Sequence, residues 1–357
     1  MLQAHKPPGA ETYKKSPAFQ IMILGCSGGP REDNVTGVLV RSLSTNWQNN
    51  SLVAVDAGTM LGGIIRCLEL SETKDIDYKG ENDGVQMTNG AFEGLRLPHK
   101  AAESNGAFIF RHLIQSVLVT HAHLDHCSAL AMNSPLIETE TAPKTISALP
   151  SVIAALKSYI FNGVIWPNLS DEDEGAGLLT YQRLSDGGNP MLGKGIGKGY
   201  VESAKGIMTK AMSISHGKSK QKYNPDTDKF ERLEQHPPGR VPKQGNDDQT
   251  GGKDNPKLDD KTWAAVDSTA FFLLDVHSGA EVLFFGDLEP DSVSIHPRNA
   301  KVWREAARKM AARNLKGIFV ECSYADAVDD ATLYGHMCPR HLIAELSQFA
   351  KDWWKRP

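Results

Sequence analysis

Long apolar runs are missing from this chain. None of its 357 residues sits in a stretch able to span a bilayer, and the first twenty carry Lys6, Lys14 and Lys15 without an apolar core. Neither a membrane span nor a secretory leader is expected. Cysteine is scarce as well: Cys26, Cys67, Cys127, Cys322 and Cys338 are odd in number and contain no Cys-x-x-Cys pair, so reduced thiols and a cytoplasmic address are expected. Excess positive charge is also absent, and a net charge of −4 argues against non-specific binding to nucleic acid. What is present is an ordinary globular composition, 40% apolar and 23% charged. The length suits about two domains, or one α/β domain with insertions.

Taken in order, Phe19 to Leu24 reads as a strand running into the glycine turn Gly25 to Pro30, with further strands over Thr36 to Arg41 and Ser51 to Val55. The third ends at Asp56-Ala57-Gly58; Asp56 is either an N-cap for a helix over Met60 to Leu70 or a carboxylate supporting a site. Residues 1–18 are expected to be flexible and 19–357 to form one domain. Polar insertions are expected at about 71–106, 171–205 and 218–262, the last disordered because it has almost no aliphatic residues. From 217 to 262 ten Lys or Arg stand against nine Asp or Glu, unlike a basic nucleic-acid-binding arm. Gly187 to Gly195 nearly fits a phosphate loop but lacks its Ser or Thr. The later elements are a helix over Phe108 to Ile114, a strand over Ser116 to Thr120, a helix over Pro150 to Phe161 and an apolar stretch Gly163 to Pro167 expected in the core. Strands over Ile207 to Ile214, Ser268 to Val276 and Glu281 to Phe285 follow, then a helix with Trp303, Ala306, Ala307 and Met310 on one face, a strand over Gly317 to Val320 and a helix from Pro339 to Lys351.

Chemistry concentrates in His121-Ala122-His123-Leu124-Asp125-His126. In a strand the first two imidazoles would point the same way, and in a tight turn Asp125 and His126 could swing toward the same point, so a metal site is written locally. His216 and Asp287 each fall at or past the end of a predicted strand, where one sheet edge could bring them to the cluster. Cys127 reads as helix packing and His277 as an exposed turn residue rather than as ligands. The six ligands His121, His123, Asp125, His126, His216 and Asp287 exceed what one zinc needs, so two divalent ions bridged by Asp287 are expected. Zinc suits imidazole with carboxylate best, with manganese and iron as alternatives. Such a pair holds a hydroxide and clamps the oxygens of a displacement at phosphorus, which points to hydrolysis of a phosphate ester.

The His-x-His-x-Asp-His motif, the downstream His216 and Asp287, and Asp56-Ala57-Gly58 at an early strand end resemble the metallo-β-lactamase fold superfamily. More narrowly, residues 121–126 with Ser134-Pro135 resemble the signature of the fungal class II, low-affinity cyclic-nucleotide phosphodiesterases. Further matching patches are Gly25 to Pro30, Tyr159 to Asn162 with Trp166 to Asn168, Ser213 to Gly217, Phe284 to Pro290, Glu321 to Tyr324 and Gly335-His336. Ala129 departs from the signature's Gly or Ser. The resemblance implies an αββα sandwich of two mixed sheets flanked by helices. It implies a small-molecule substrate, 3′,5′-cyclic AMP and by extension cyclic GMP, opened to the 5′-monophosphate. It also implies that His336 protonates the departing 3′-oxygen, that Glu321 orients His336, and that Asp125 belongs with them among the catalytic residues as well as among the ligands.

A second departure concerns the last metal-ligating His of the superfamily, which follows the final helix. No His follows His341 here. A truncated or divergent C-terminus, substitution by His336, or a weakly held second ion are the alternatives, with incomplete occupancy at Asp125 and His126 expected. The rival functions are an RNA-processing endonuclease of the same fold and a catalytically impaired metal-binding protein. The near-neutral insertion and the acidic net charge favour the small substrate.

Overall fold

Strands covered on both faces need apolar residues at every position, and this requirement lays out the two main sheets. The computed structural model describes residues 17–139, 142–233 and 262–354. The first sheet has the order β1 (Phe19–Gly25), β2 (Gly37–Ser42), β3 (Leu52–Ala57), β7 (Ile114–Leu118), β8 (Lys144–Ala148), β9 (Leu179–Arg183). β1 to β3 pair antiparallel and the rest parallel. All six residues of β3 are buried, Asp56 among them.

The second sheet has the order β10 (Val201–Ala204), β11 (Ile207–Ser219), β14 (Ala264–Asp275), β15 (Glu281–Phe285), β16 (Leu315–Phe319), parallel only between the last two. Along β14 the side chains sort by parity, because successive residues of a strand face opposite ways. Phe271 and Leu273 join the core shared with the first sheet, whereas Ala270, Phe272 and Leu274 join the core under α5 (Asn299–Ala311) and α6 (Pro339–Trp354). Burying either phenylalanine contributes about 1.5–3 kcal/mol. α1 (Leu61–Glu69), α3 (Leu124–Met132) and α4 (Pro150–Tyr159) pack against β1, β3 and β8 of the first sheet. Helices, two mixed sheets and helices make the expected αββα sandwich.

Several expectations are corrected. Residues 71–106 are not a plain loop: β4 (Thr73–Tyr78), β5 (Glu81–Met87) and β6 (Arg96–Leu97) form a small third sheet, followed by α2 (Ala102–Phe108). No residue of β4 is buried, so it shows no apolar alternation to read. The segment 171–205 supplies β9 and β10, one edge strand to each main sheet. The start of 218–262 continues β11 and folds into a hairpin of β12 (Gln221–Asn224) and β13 (Lys229–Arg232). The rest of that segment, 234–261, and the N-terminal residues 1–16 lie outside the described residues. The helix expected over Phe108 to Ile114 is the end of α2 followed by a wide helical turn over Ile109–Leu113. Gly163 to Pro167 is a surface turn rather than core, with Val164 86% and Ile165 67% exposed.

Candidate metal centre

Five strands end at one place. β3 delivers Asp56, β7 leads to His121, β11 carries His216, β15 leads to Asp287 and β16 leads to Glu321. The local reading of the cluster needs one correction. β7 stops at Leu118, so His121 and His123 sit in a loop rather than in a strand, and Asp125 and His126 occupy the first turn of α3 rather than a tight turn. A carboxylate in that turn is favoured by the helix dipole. The approach is close. A Cβ on Gly58 would lie 1.9 Å from the Asp125 carbonyl oxygen, so no other residue fits there without displacing the loop.

The donor atoms converge. His123 Nδ1 lies 3.1 Å from His121 Nε2 and 3.2 Å from His216 Nε2. Asp287 Oδ2 lies 3.3 Å from His126 Nε2 and 3.9 Å from both His121 Nε2 and His216 Nε2, between the two halves of the set. Asp125 Oδ2 is 3.4 Å from His126 Nε2. All six expected ligands are therefore brought together. His216 is 3% exposed, and His121 and His126 are buried more deeply still.

The far ring nitrogens explain why these imidazoles face inward. His216 Nδ1 donates to the Gly335 carbonyl at 2.8 Å. His126 Nδ1 donates to Asp56 Oδ2 at 2.8 Å. Thr120 Oγ1 donates to Asp56 Oδ2 at 2.9 Å and accepts from His121 Nδ1 at 3.0 Å. Each bond fixes a tautomer and leaves Nε2 free for a cation. Asp56 thus orients two imidazoles at once, His126 directly and His121 through Thr120, while its Oδ1 accepts from the Thr120 N–H at 2.8 Å. It is not the N-cap of α1, whose first N–H is met by Asn133 Oδ1. Of the two sequence readings of Asp56, the supporting carboxylate is the one the structure shows. The linking role of Thr120 was not anticipated, and its only sequence signal is its place at the end of the strand run before His121.

Burial, aided by neighbouring imidazoles, pushes His121 well below the ordinary histidine value. Burial also lowers His123, and takes His216 down to about 4. Neutral imidazole is the form that ligates a metal. For His126 burial opposes charging, but Asp56, Asp125 and Asp287 outweigh it and raise the pKa well above the usual value. Burial works against ionisation of Asp287 too, and contact with His126 overrides it, holding the carboxyl far below its normal range.

His336 Nδ1 donates to both Glu321 oxygens at 3.0 Å and lies 3.7 Å from Asp287 Oδ2, so this pair also reaches the centre. Burial disfavours its charged form, and Glu321 more than compensates, raising the pKa. His341 does not reach the centre, because its Nε2 is taken by Asp330 at 2.7 Å. Cys127 is buried on α3 with its thiol pushed up to about 12 by burial, and His277 lies exposed in a turn.

This donor set fits a metal. Three imidazoles with inward-facing Nε2 and two ionised carboxylates around a shared point suit divalent cations, and their mutual crowding gains little otherwise. Such a centre at the strand ends of an αββα sandwich is suited to metal binding and to metal-assisted hydrolysis. The chain belongs to the cAMP phosphodiesterases class-II, whose family model matches residues 23–190 and 252–354. It is 29% identical over 331 residues to a probable 3′,5′-cyclic-nucleotide phosphodiesterase of Yersinia pestis, covering 93% of this chain and 72% of that protein. It is 26% identical to the 3′,5′-cyclic-nucleotide phosphodiesterase of Schizosaccharomyces pombe, covering 92% and 74%. Relatives in a bacterium and a yeast extend the expected family beyond fungi. The crystal structure of unliganded yeast PDE1 superposes with a TM-score of 0.64 at 22% identity, covering 94% of this chain and 84% of that one.

Proposed function

We propose that this centre binds two divalent cations, zinc by the chemistry of its donors, and opens 3′,5′-cyclic AMP and cyclic GMP to the 5′-monophosphates. The observation that carries this reading is the placing of Asp287 Oδ2 between His121, His126 and His216, with His336 and Glu321 beside it. His121, His123, His216 and Asp287 would hold one cation, and Asp125, His126 and Asp287 the other. When bound, such a pair would supply Lewis acidity toward the phosphate and activate water. Asp56 and the Gly335 carbonyl hold the imidazoles in register. The raised pKa of His336 keeps a proton available for the leaving 3′-oxygen, and Glu321 fixes the ring that delivers it.

Among the described residues three side chains face the second cation position, one fewer than face the first, so that position fills less completely. Two tightly held equivalents per chain by metal analysis would refute this part. A cytoplasmic place of action belongs to the same reading, supported by five free cysteines. No helix among the described residues is long and apolar enough to cross a membrane. The test incubates metal-loaded and chelator-treated protein with cyclic AMP, cyclic GMP and a structured RNA. Cyclic-nucleotide opening that chelator abolishes and zinc restores is expected; cleavage of RNA alone would replace this reading with the nuclease one.

A further inference from the structure

Two cavities flank the centre, and they differ in size and in what their walls already do. The one on the His123 side has a volume of about 200 Å³ and is lined by Tyr159, Tyr223 and Phe230. Those rings pack on one another, with Phe230 at 5.9 Å from Tyr159 and 5.8 Å from Tyr223 between centroids. They hold the β12–β13 hairpin against α4. The cavity on the His336 side has a volume of about 470 Å³, and its lining includes His336, Trp263, Pro290, Leu333, Tyr334 and Glu289. Small-molecule sites usually measure about 300–1,000 Å³, which admits the second cavity and excludes the first.

We infer that the cavity bounded by Trp263 and Tyr334 receives the purine base of the substrate, and that these two rings are its stacking surfaces. The inference rests on the phosphodiesterase reading, and within it on a geometric constraint. If His336 protonates the 3′-oxygen, the ribose must lie on the His336 side of the phosphate, and the base attached to it continues into the cavity that His336 itself lines. The wall chemistry suits a base: aromatic and aliphatic faces, with a buried carboxylate, Glu289, an exposed one, Asp330, an exposed ammonium, Lys218, and the His336 imidazole as the polar side chains. Tyr334 is 73% exposed, and its backbone lies in the left-handed region at φ 49°, a conformation that projects the residue from a loop end at a cost to its own stability. The loop is anchored to the metal ligands. The Gly335 carbonyl accepts from His216 Nδ1, and a Cβ on Gly335 would come within 2.5 Å of the Gly217 nitrogen, so the two segments touch backbone to backbone. Base and phosphate are thereby read by one rigid unit.

The test compares kcat/KM of the metal-loaded enzyme on cyclic AMP and on its base-free analogue, methyl riboside 3′,5′-cyclic phosphate. The same bond breaks in both. Stacking of a base on an aromatic ring gives Trp263→Ala and Tyr334→Ala an expected loss of about 5- to 150-fold on cyclic AMP relative to the base-free analogue, expressed mainly in KM. Trp263→Phe keeps a ring and should recover most of the loss, whereas Phe230→Ala, in the smaller cavity, should leave the ratio between substrates as in the wild type. An equal loss on both substrates would overturn the proposal, because the rings would then be maintaining the shape of the site. A selective loss in Phe230→Ala with none in Trp263→Ala would move the base to the other side and overturn it as well. Failure of the wild-type enzyme to open either cyclic phosphate would instead remove the phosphodiesterase reading, and the proposal with it.

Discussion

Asp56→Asn isolates what the buried carboxylate does for the imidazoles proposed to hold metal. Asp56 lies at φ 58°, a left-handed conformation that Asn tolerates, so this substitution adds no backbone strain where Ala would. The amide retains one oxygen for the Thr120 N–H now bound by Oδ1. At the Oδ2 position it presents an NH₂ to Thr120 Oγ1 and to His126 Nδ1. The hydroxyl can rotate and accept, but the imidazole cannot accept while Nδ1 carries its proton. Relief requires the other tautomer of His126, with the proton on Nε2, facing Asp125 and Asp287 where a cation would bind. Losing such a supporting partner costs about 10- to 100-fold in metal affinity, equivalent to about 1.4–2.7 kcal/mol. The loss should fall chiefly on the position formed by Asp125, His126 and Asp287. Competition against a graded series of chelators, with circular dichroism to confirm an intact fold, measures it. A variant that holds its weaker metal equivalent within about twofold of wild type would refute the assignment of Asp56 as the group that sets the His126 tautomer.

His336→Ala should lower kcat by about 10²- to 10⁴-fold while the metal content stays as in wild type, and Glu321→Gln should produce a smaller loss of the same kind. Loss of metal together with kcat in His336→Ala would make His336 a ligand rather than a proton donor. Gly58→Ala places a Cβ 1.9 Å from the Asp125 carbonyl oxygen, and urea denaturation should show a loss of about 1–3 kcal/mol together with lost metal binding. Away from the centre, the hydrogen bonds from Arg183, with Lys157 assisting, lower Glu172 to about 2 from an ordinary 4.5. A depressed carboxyl stabilises the fold above pH 4.5 and loses that contribution as pH falls toward 2. Because the pair is largely solvated, Glu172→Gln should cost no more than about 1 kcal/mol at pH 7, with the difference from wild type shrinking at pH 3 in denaturation curves.

The parts legible in the sequence are those whose physics is local or uniform. The middles of β14 and β15 are covered on both faces, so the unbroken apolar runs Ala270 to Leu274 and Val282 to Phe285 mark both strands. α5 shows Trp303, Ala306 and Ala307 on one side because only that side is buried. The strands β4, β12 and β13 stayed hidden for the converse reason: none of their residues is buried, and polar strands that pair only at the surface resemble loops in composition. Val164 and Ile165 misled in the other direction, since an apolar pair between turn residues can lie at the surface.

Within the centre the same division holds at the scale of single residues. His121, His123, Asp125 and His126 are close in sequence, and their chemistry alone marks them. His216 and Asp287 could be joined to them because strand ends are where α/β sheets place sites. The partner of each imidazole's far nitrogen obeys no such rule. Asp56 can cap a helix or hold a histidine with the same carboxylate, and the choice is made by where Asn133 lies, 72 residues from the helix start it caps. The acceptor for His216 is a backbone carbonyl, Gly335, which any residue could supply and which no side-chain pattern can reveal. What does select Gly335 is the lack of room for a Cβ against Gly217. The glycine beside His336 therefore serves two sides of the centre together: it lets one loop pass close enough to orient His216 while carrying His336 to within 3.7 Å of Asp287.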